Sequence, residues 1–345
     1  MTDSTDATPV SGLPGGVGTG VGSMPGTDAR DAAAIVHGEL DFAHLVELPA
    51  RGLGADMIGR MAAVLVDLPM DTATQGYRLS ARPSRLTRRA ADLLHEDLDM
   101  AEEIWETAGF VGSGRPFKVA VAGPFTLAAS VELRTGHKVL RDRGAVRDLI
   151  ASCAEGVREL AAEVTRRLGA QVIVQLDEPM IGSVIDGTVR PLTRFDVLDA
   201  IPVVEVAEAL AQLIGVIGRP AVLHDCGTPR WDLLSRLPGV ALSADVTAPS
   251  AADLDGIGEL IDRGDTLLAG IVPAVGEDRH AHADTVAAAL ATLTDRIGLD
   301  RKVLAQNAIV TPTCGLAGAS ETWAKRALAI CAQAGHLLGS DPDAL

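Results

Sequence analysis

Two positions apart in the stretch AVLHDCGTP, His224 and Cys226 carry the two donor types from which zinc sites are most often built. Ala221-Val222-Leu223 is a short apolar run stopped by Gly227 and Pro229, the pattern of an interior parallel strand that runs into a loop. Side chains alternate along a strand, so residues 224 and 226 point to the same side, and an imidazole and a thiolate can converge there on one cation. For this pair in isolation, a satisfied core histidine beside a small buried thiol is the better account. What the rest of the chain places at the same level decides between the two.

Cys314, in TPTCGL, offers a third ligand, and Asp245, at the end of the apolar run GVALSAD, a fourth through oxygen. Taken singly, Cys314 reads equally well as a loop thiol and Asp245 as a loop or helix-capping carboxylate. Their separation along the chain excludes a local zinc ribbon, so any such site draws its ligands from several strands. Cys153 in ASCAEGV and Cys331 in LAICAQA sit in helical patterns and read as core residues. Two further polar stretches end apolar runs. In VIVQLDEPM, Asp177 is either a functional carboxylate or the cap of a strand-end turn. In VGSMPG, Gly22 and Ser23 form a tight turn that no Lys-Ser or Lys-Thr pair follows, so it is not a phosphate loop.

These residues need elements to carry them. Hydrophobic residues make up 47% of the 345 positions and aromatic ones only 3%, so the interior must be built from Ala, Val, Leu and Ile, as in parallel sheets packed against Ala-rich helices. Apolar runs end near Met24, Leu48, Gly123, Asp177, Cys226, Asp245, Gly270 and Ala308, most of them separated by stretches of helical length. Eight strands with intervening helices predict an α/β protein with a closed (β/α)8 TIM barrel; an open doubly wound sheet is the alternative. A ninth stretch, QNAIVTPTCGL, then brings Cys314 to the rim where a barrel gathers its strand ends. The early region is the least regular, with a hairpin in VDLPMDTATQGYRLS and a long helix near 83–110. Residues 1–17, rich in Gly, Pro, Ser, Thr and Asp, read as a flexible leader with nothing to bury, and residues 18–345 as a single barrel.

The formal charge of −16 opposes broad attraction to nucleic acid or anionic lipid, although the basic stretch Arg134 to Arg143 could hold a small anion. No apolar stretch approaches the roughly 20 residues of a membrane span, and the start has neither a basic nor an apolar signal segment. A cytoplasmic protein with reduced thiols is expected, since four scattered cysteines form no disulfide framework.

TGVGSMPGTD, VAGPFTLAAS, VIVQLDEPM, VLHDCG and TPTCGLAGASETWAKRALAI, in this order, resemble the C-terminal catalytic barrel of the cobalamin-independent methionine synthase family, and the chain resembles that family's single-barrel relatives. The barrel is then of the class that uroporphyrinogen decarboxylase and methionine synthase share. The resemblance implies Zn2+ held by His224, Cys226, Asp245 and Cys314, with Asp245 standing where the family usually has a Glu one methylene longer. It also implies that homocysteine is gripped by the Gly22-Ser23 turn, Glu47 of VELPARG, and Asp177. The chemistry is coherent: a free thiol with a pKa near 8.5 is mostly protonated at neutral pH, and metal coordination deprotonates it. Asp177 and Glu47 suit an ammonium group, and backbone N–H groups of the Gly22-Ser23 turn suit a carboxylate.

The function implied is methyl transfer to a thiol, homocysteine giving methionine. The donor is either methyltetrahydrofolate or a methylcorrinoid, the latter because the family's proton-donating His is sought in LLAGIVPAVG, where Gly270 and Ile271 stand. Other readings are transfer to another small thiol such as coenzyme M, a uroporphyrinogen decarboxylase-like lyase, and a non-catalytic zinc-binding barrel. The lyase would need several pocket arginines, which these loops lack.

Overall fold

The structure is a computed structural model, and it describes residues 12–193, 197–276 and 281–345. Ten strands are defined among them: β1 (Val17–Gly18), β2 (Ala43–His44), β3 (Met70–Ala73), β4 (Gly76–Leu79), β5 (Pro116–Ala122), β6 (Gln171–Asp177), β7 (Ala221–His224), β8 (Ala241–Asp245), β9 (Leu267–Val272) and β10 (Ala308–Pro312). Eight of them form one parallel sheet in the order β1-β10-β9-β8-β7-β6-β5-β2. β3 and β4 are the antiparallel hairpin expected from VDLPMDTATQGYRLS.

The sheet is curled, and its two terminal strands meet at the rim. Just beyond β1 and β2, Ser23 and Glu47 form a parallel bridge. The Met24 N–H donates to the Glu47 carbonyl at 2.8 Å and the Glu47 N–H to the Gly22 carbonyl at 3.2 Å. Lower down, Thr19 Oγ1 donates to the Phe42 carbonyl at 2.7 Å. The α/β architecture is therefore that of an eight-stranded barrel, joined between its first and second strands by isolated contacts instead of a ladder.

β1 is short because its backbone is pressed against the last helix, Glu321–Ser340. A Cβ on Gly18 would lie 2.3 Å from the Cys331 carbonyl carbon, and one on Gly335 would lie 2.2 Å from that of Val17. Two glycines thus permit a backbone contact that any side chain would prevent. Elsewhere the helices follow their local signals. Ser84 and Thr87 form a capping box that starts the helix Arg85–Thr107, and Ser250 and Asp253 another that starts Ala251–Asp262. The helix Arg143–Leu168 buries Cys153, and the last helix buries Cys331, both as expected of core thiols.

Two boundaries differ from the expectation. The eighth barrel strand begins at Ala308 instead of ending there, because the preceding residues turn into the short helix Val303–Asn307 and the Asn307 amide ties down the Gly264 and Asp265 carbonyls. Cys314 therefore follows the last barrel strand directly, without a ninth segment. The leader expectation falls mainly on residues 1–11, which lie outside the described residues; of residues 12–17, Leu13 is only 3% exposed. It closes the bottom of the barrel against Phe42, Ile173, Val222, Ala241, Leu268 and Ile309. A single leucine flanked by Gly and Pro has no periodicity to reveal it.

Leu13→Ala should cost about 2–3 kcal/mol of stability by loss of contact and an unfilled floor. Urea denaturation measures it; a change below about 0.5 kcal/mol would mean that the floor seals without residue 13.

Candidate active site

The barrel interior is apolar at its base and polar above. Each inward residue on a strand is followed two positions later by another, so β6 carries Ile173 in the floor, Gln175 above it and Asp177 at the rim, while β7 carries Val222 and then His224. Asp177 and His224 are register partners across these two strands. His224 Nδ1 lies 3.0 Å from Ser243 Oγ on β8, and its Nε2 lies 3.1 Å from Cys226 Sγ. Cys226 Sγ is in turn 3.2 Å from Cys314 Sγ, both being free thiols. His224, Cys226 and Cys314 form the group, among the described residues, whose donor atoms all lie close enough together to hold a metal ion.

Asp245 is not brought into that group. It is exposed, and its Oδ1 accepts from the Thr247 N–H at 2.8 Å and from Thr247 Oγ1 at 2.6 Å, so the carboxylate serves its own loop. The shorter side chain closes a local turn here instead of reaching toward the sulfurs.

The other predicted residues do converge. Ser23 and Glu47 are paired through the closing bridge. A Cβ on Gly315 would lie 2.1 Å from Ser23 Oγ, and the Leu316 N–H donates to the Ser23 carbonyl at 2.8 Å, so the serine rests on the peptide that carries Cys314. A Cβ on Gly22 would approach Glu47 Oε2 at 3.9 Å, which puts the Glu47 carboxylate beside that turn. Asp177 and Glu47 are both almost fully buried.

Several residues beneath this rim were not singled out from the sequence. Lys118 on β5 is fully buried; its Nζ donates to the Val21 carbonyl at 2.7 Å and to Gln175 Oε1 at 2.6 Å. Gln175 Nε2 donates to Asp177 Oδ1 at 2.7 Å. Glu178 is also fully buried, and its carboxylate accepts from the Phe125 and Thr126 N–H groups and from Thr126 Oγ1, at 2.7–2.9 Å. The signal existed: a lysine in the otherwise apolar strand PFKVAVA, at an inward position, demands a buried partner.

Burial dominates the electrostatics. It pushes Glu47 up to about 7, against the opposing charges of Arg60 and Lys118 and with the help of Asp177. Asp177 is raised for the same first reason, with His224, the Gln175 hydrogen bond and Lys118 resisting. Lys118 is pulled down to about 8 by burial, which Asp177 and Glu47 oppose. Glu178 rises to about 7 because desolvation outweighs its three donors. Hydrogen bonding with Cys226 and His224 holds the Cys314 thiol below the usual thiol range, while the bond to Cys314 and burial push Cys226 up.

Gly270 and Ile271, where a proton-donating His was sought, lie within β9 and not in the loop after it, because the strand runs on to Val272, and the first of these positions has no room for a side chain. A Cβ on Gly270 would lie 2.8 Å from the Ala244 carbonyl oxygen and 3.1 Å from Thr313 Cα. Residues 277–280, in the loop after β9, lie outside the described residues. No helix among the described residues is long and apolar enough to cross a membrane.

Compared with known proteins, residues 17–336 match the family model described as the cobalamin-independent synthase catalytic domain. Among solved structures, the fold is similar to that of a B12-independent methionine synthase from Shewanella sp. W3-18-1 in complex with selenomethionine, at 15% identity and a TM-score of 0.61, over 96% of this chain and 100% of that one. A β-glycosidase from the hyperthermophile Thermosphaera aggregans aligns over 92% of this chain and 86% of its own at 8% identity, with a TM-score of only 0.31. No curated protein sequence matches the chain.

The raised Glu47 value fixes a pH dependence. Its folded pKa, about 7, exceeds the unfolded carboxylate value, about 4.3, so its contribution to stability is complete below pH 4.3 and is lost as pH rises through 7. Between pH 4.5 and 7.5 the metal-free wild type should lose on the order of 1–3 kcal/mol relative to Glu47→Gln. Urea denaturation of both proteins across that range is the measurement, and parallel profiles would contradict the assignment.

Proposed function

This chain belongs to the cobalamin-independent synthase catalytic-domain family and is a methyltransferase, and from that premise we propose that it methylates the thiol of homocysteine, giving methionine, at a zinc site built from His224, Cys226 and Cys314. The observation that carries the reading is the convergence of one imidazole and two free thiols beside the buried carboxylates of Asp177 and Glu47.

One nitrogen and two sulfurs are a donor set that suits zinc, and three protein ligands leave a fourth position for a substrate sulfur. Asp245, in its turn with Thr247, is not needed for that count. The chemistry that zinc supplies when bound to such donors is deprotonation of a thiol at neutral pH. The protein's own groups do the rest. Ser243 Oγ meets His224 Nδ1 and so keeps Nε2 turned toward the sulfurs. Asp177 and Glu47 accept the substrate ammonium, and their burial makes that contact selective, because an unpaired charge there is costly. The Ser23 hydroxyl and the backbone of the Gly22-Ser23 turn receive the substrate carboxylate.

A folate donor is favoured over a methylcorrinoid, since the family is described as cobalamin-independent. Methyl transfer to homocysteine, assayed in parallel with methyltetrahydrofolate and methylcobalamin, tests the choice. Turnover with methylcobalamin alone would reverse it, and turnover with neither would remove methionine synthesis as the function.

Purified protein should hold about one zinc per chain, and Cys226→Ser or Cys314→Ser should lose most of it with the cooperative melt preserved. Full zinc retention in both variants, by metal analysis, would overturn the site. For the substrate, Asp177→Asn removes a charge-assisted hydrogen bond worth roughly 1.5–3 kcal/mol, so homocysteine should bind about ten- to a hundredfold more weakly. Affinity for 3-mercaptopropionate, which lacks the amino group, should barely change in the same calorimetric titrations. Equal weakening of both thiols would assign Asp177 a purely structural part.

A further inference from the structure

Lys118 stands one layer below the rim, fully buried, and no carboxylate lies within ion-pair distance of it among the described residues. A lone buried ammonium is costly unless its protons are all usefully placed and its charge serves something nearby. We propose that Lys118, acting through Gln175, is a positioning residue that fixes the orientation of the Asp177 carboxylate and thereby sets the preference for an amino-bearing thiol. This deepens the function proposed above and rests on it for the identity of the ligand.

The argument is one of donors and acceptors. An ammonium can only donate, so the atom of Gln175 that faces Nζ at 2.6 Å must be the amide oxygen. The amide NH2 is then forced to the other side, where its two protons go to the Val21 carbonyl at 2.9 Å and to Asp177 Oδ1 at 2.7 Å. Lys118 itself donates to that same Val21 carbonyl at 2.7 Å, so the segment leading to Gly22 and Ser23 is pinned by the same pair of residues. With Oδ1 committed downward to Gln175, Oδ2 is the oxygen that Asp177 offers to a ligand. Without the lysine, the Gln175 amide oxygen loses its donor, the Val21 carbonyl and Asp177 Oδ1 alone select the amide's orientation, and an upturned oxygen would repel the carboxylate. A mere filler of the barrel interior would have no effect that distinguished one thiol from another.

The test uses the full chain with Lys118→Met and, separately, Gln175→Glu, which keeps the side-chain volume but cannot donate to Asp177 as a carboxylate. Calorimetric titration with homocysteine and with 3-mercaptopropionate is combined with metal analysis and thermal melting. Both variants should keep their zinc and bind 3-mercaptopropionate within about twofold of wild type, while homocysteine weakens by about tenfold or more. Equal weakening of the two thiols, or unchanged homocysteine affinity, would overturn the proposal. Should Lys118→Met fail to fold, Gln175→Glu carries the same comparison. If the wild type binds no homocysteine, the proposed function fails by itself, and crystal structures of the variants then decide the positioning role. A turned residue-175 side chain or displaced Asp177 carboxylate supports it, and unmoved groups refute it.

Discussion

One bridge holds the site together: the pair of main-chain hydrogen bonds between Gly22–Met24 and Glu47 that brings the first barrel strand to the second. β1 and β2 are only two residues long, and a sheet that ended there would leave their C-terminal segments on opposite edges. Closure at the rim puts Ser23 and Glu47 side by side, and Ser23 then meets Gly315 and so fixes the loop that carries Cys314. From Cys314 the contacts run to Cys226, to His224 and, across the β6–β7 register, back to Asp177. The ring of functional groups is thus a ring of neighbouring strands, and a fault at the bridge would open it where the first and second strands meet.

Below that ring, the barrel spends stability on polarity. Lys118, Gln175 and Glu178 are each buried at a desolvation cost that an apolar residue would not incur. What the polar layer provides is direction. Every one of these side chains makes at least two hydrogen bonds with defined donors and acceptors, so the atoms above them cannot rotate freely. The apolar floor from Leu13 to Ile309 seals this layer from the solvent beneath.

The likeness to a methionine synthase barrel at 15% identity shows how little sequence the architecture requires. Close packing constrains only certain positions strictly. Gly18 and Gly335 admit the last helix onto β1, Gly315 admits Ser23, and Gly270 fits between β8 and β10 where a side chain would collide with backbone. The last of these excludes a histidine at that position on steric grounds, so any proton donor must come from elsewhere in the chain.

The sequence by itself determined the number of barrel strands, the long early helix, the hairpin and the burial of Cys153 and Cys331, because each rests on alternation, spacing or order along the chain, while it offered His224, Cys226 and Cys314 only as candidates for one group. Tertiary structure alone decided the rest. Asp245 sits at the correct strand end, yet its carboxylate turns to Thr247, since a hydrogen-bonded turn two residues away is available to a short side chain without any reach across the barrel. Leu13 lies in a stretch with the composition of a flexible leader and still fills the barrel floor, because burial depends on where the backbone passes and not on its neighbours in sequence. Lys118 and Gln175 meet because β5 and β6 lie side by side in the sheet, and Ser23 and Glu47 meet only because the sheet closes; no local pattern relates either pair.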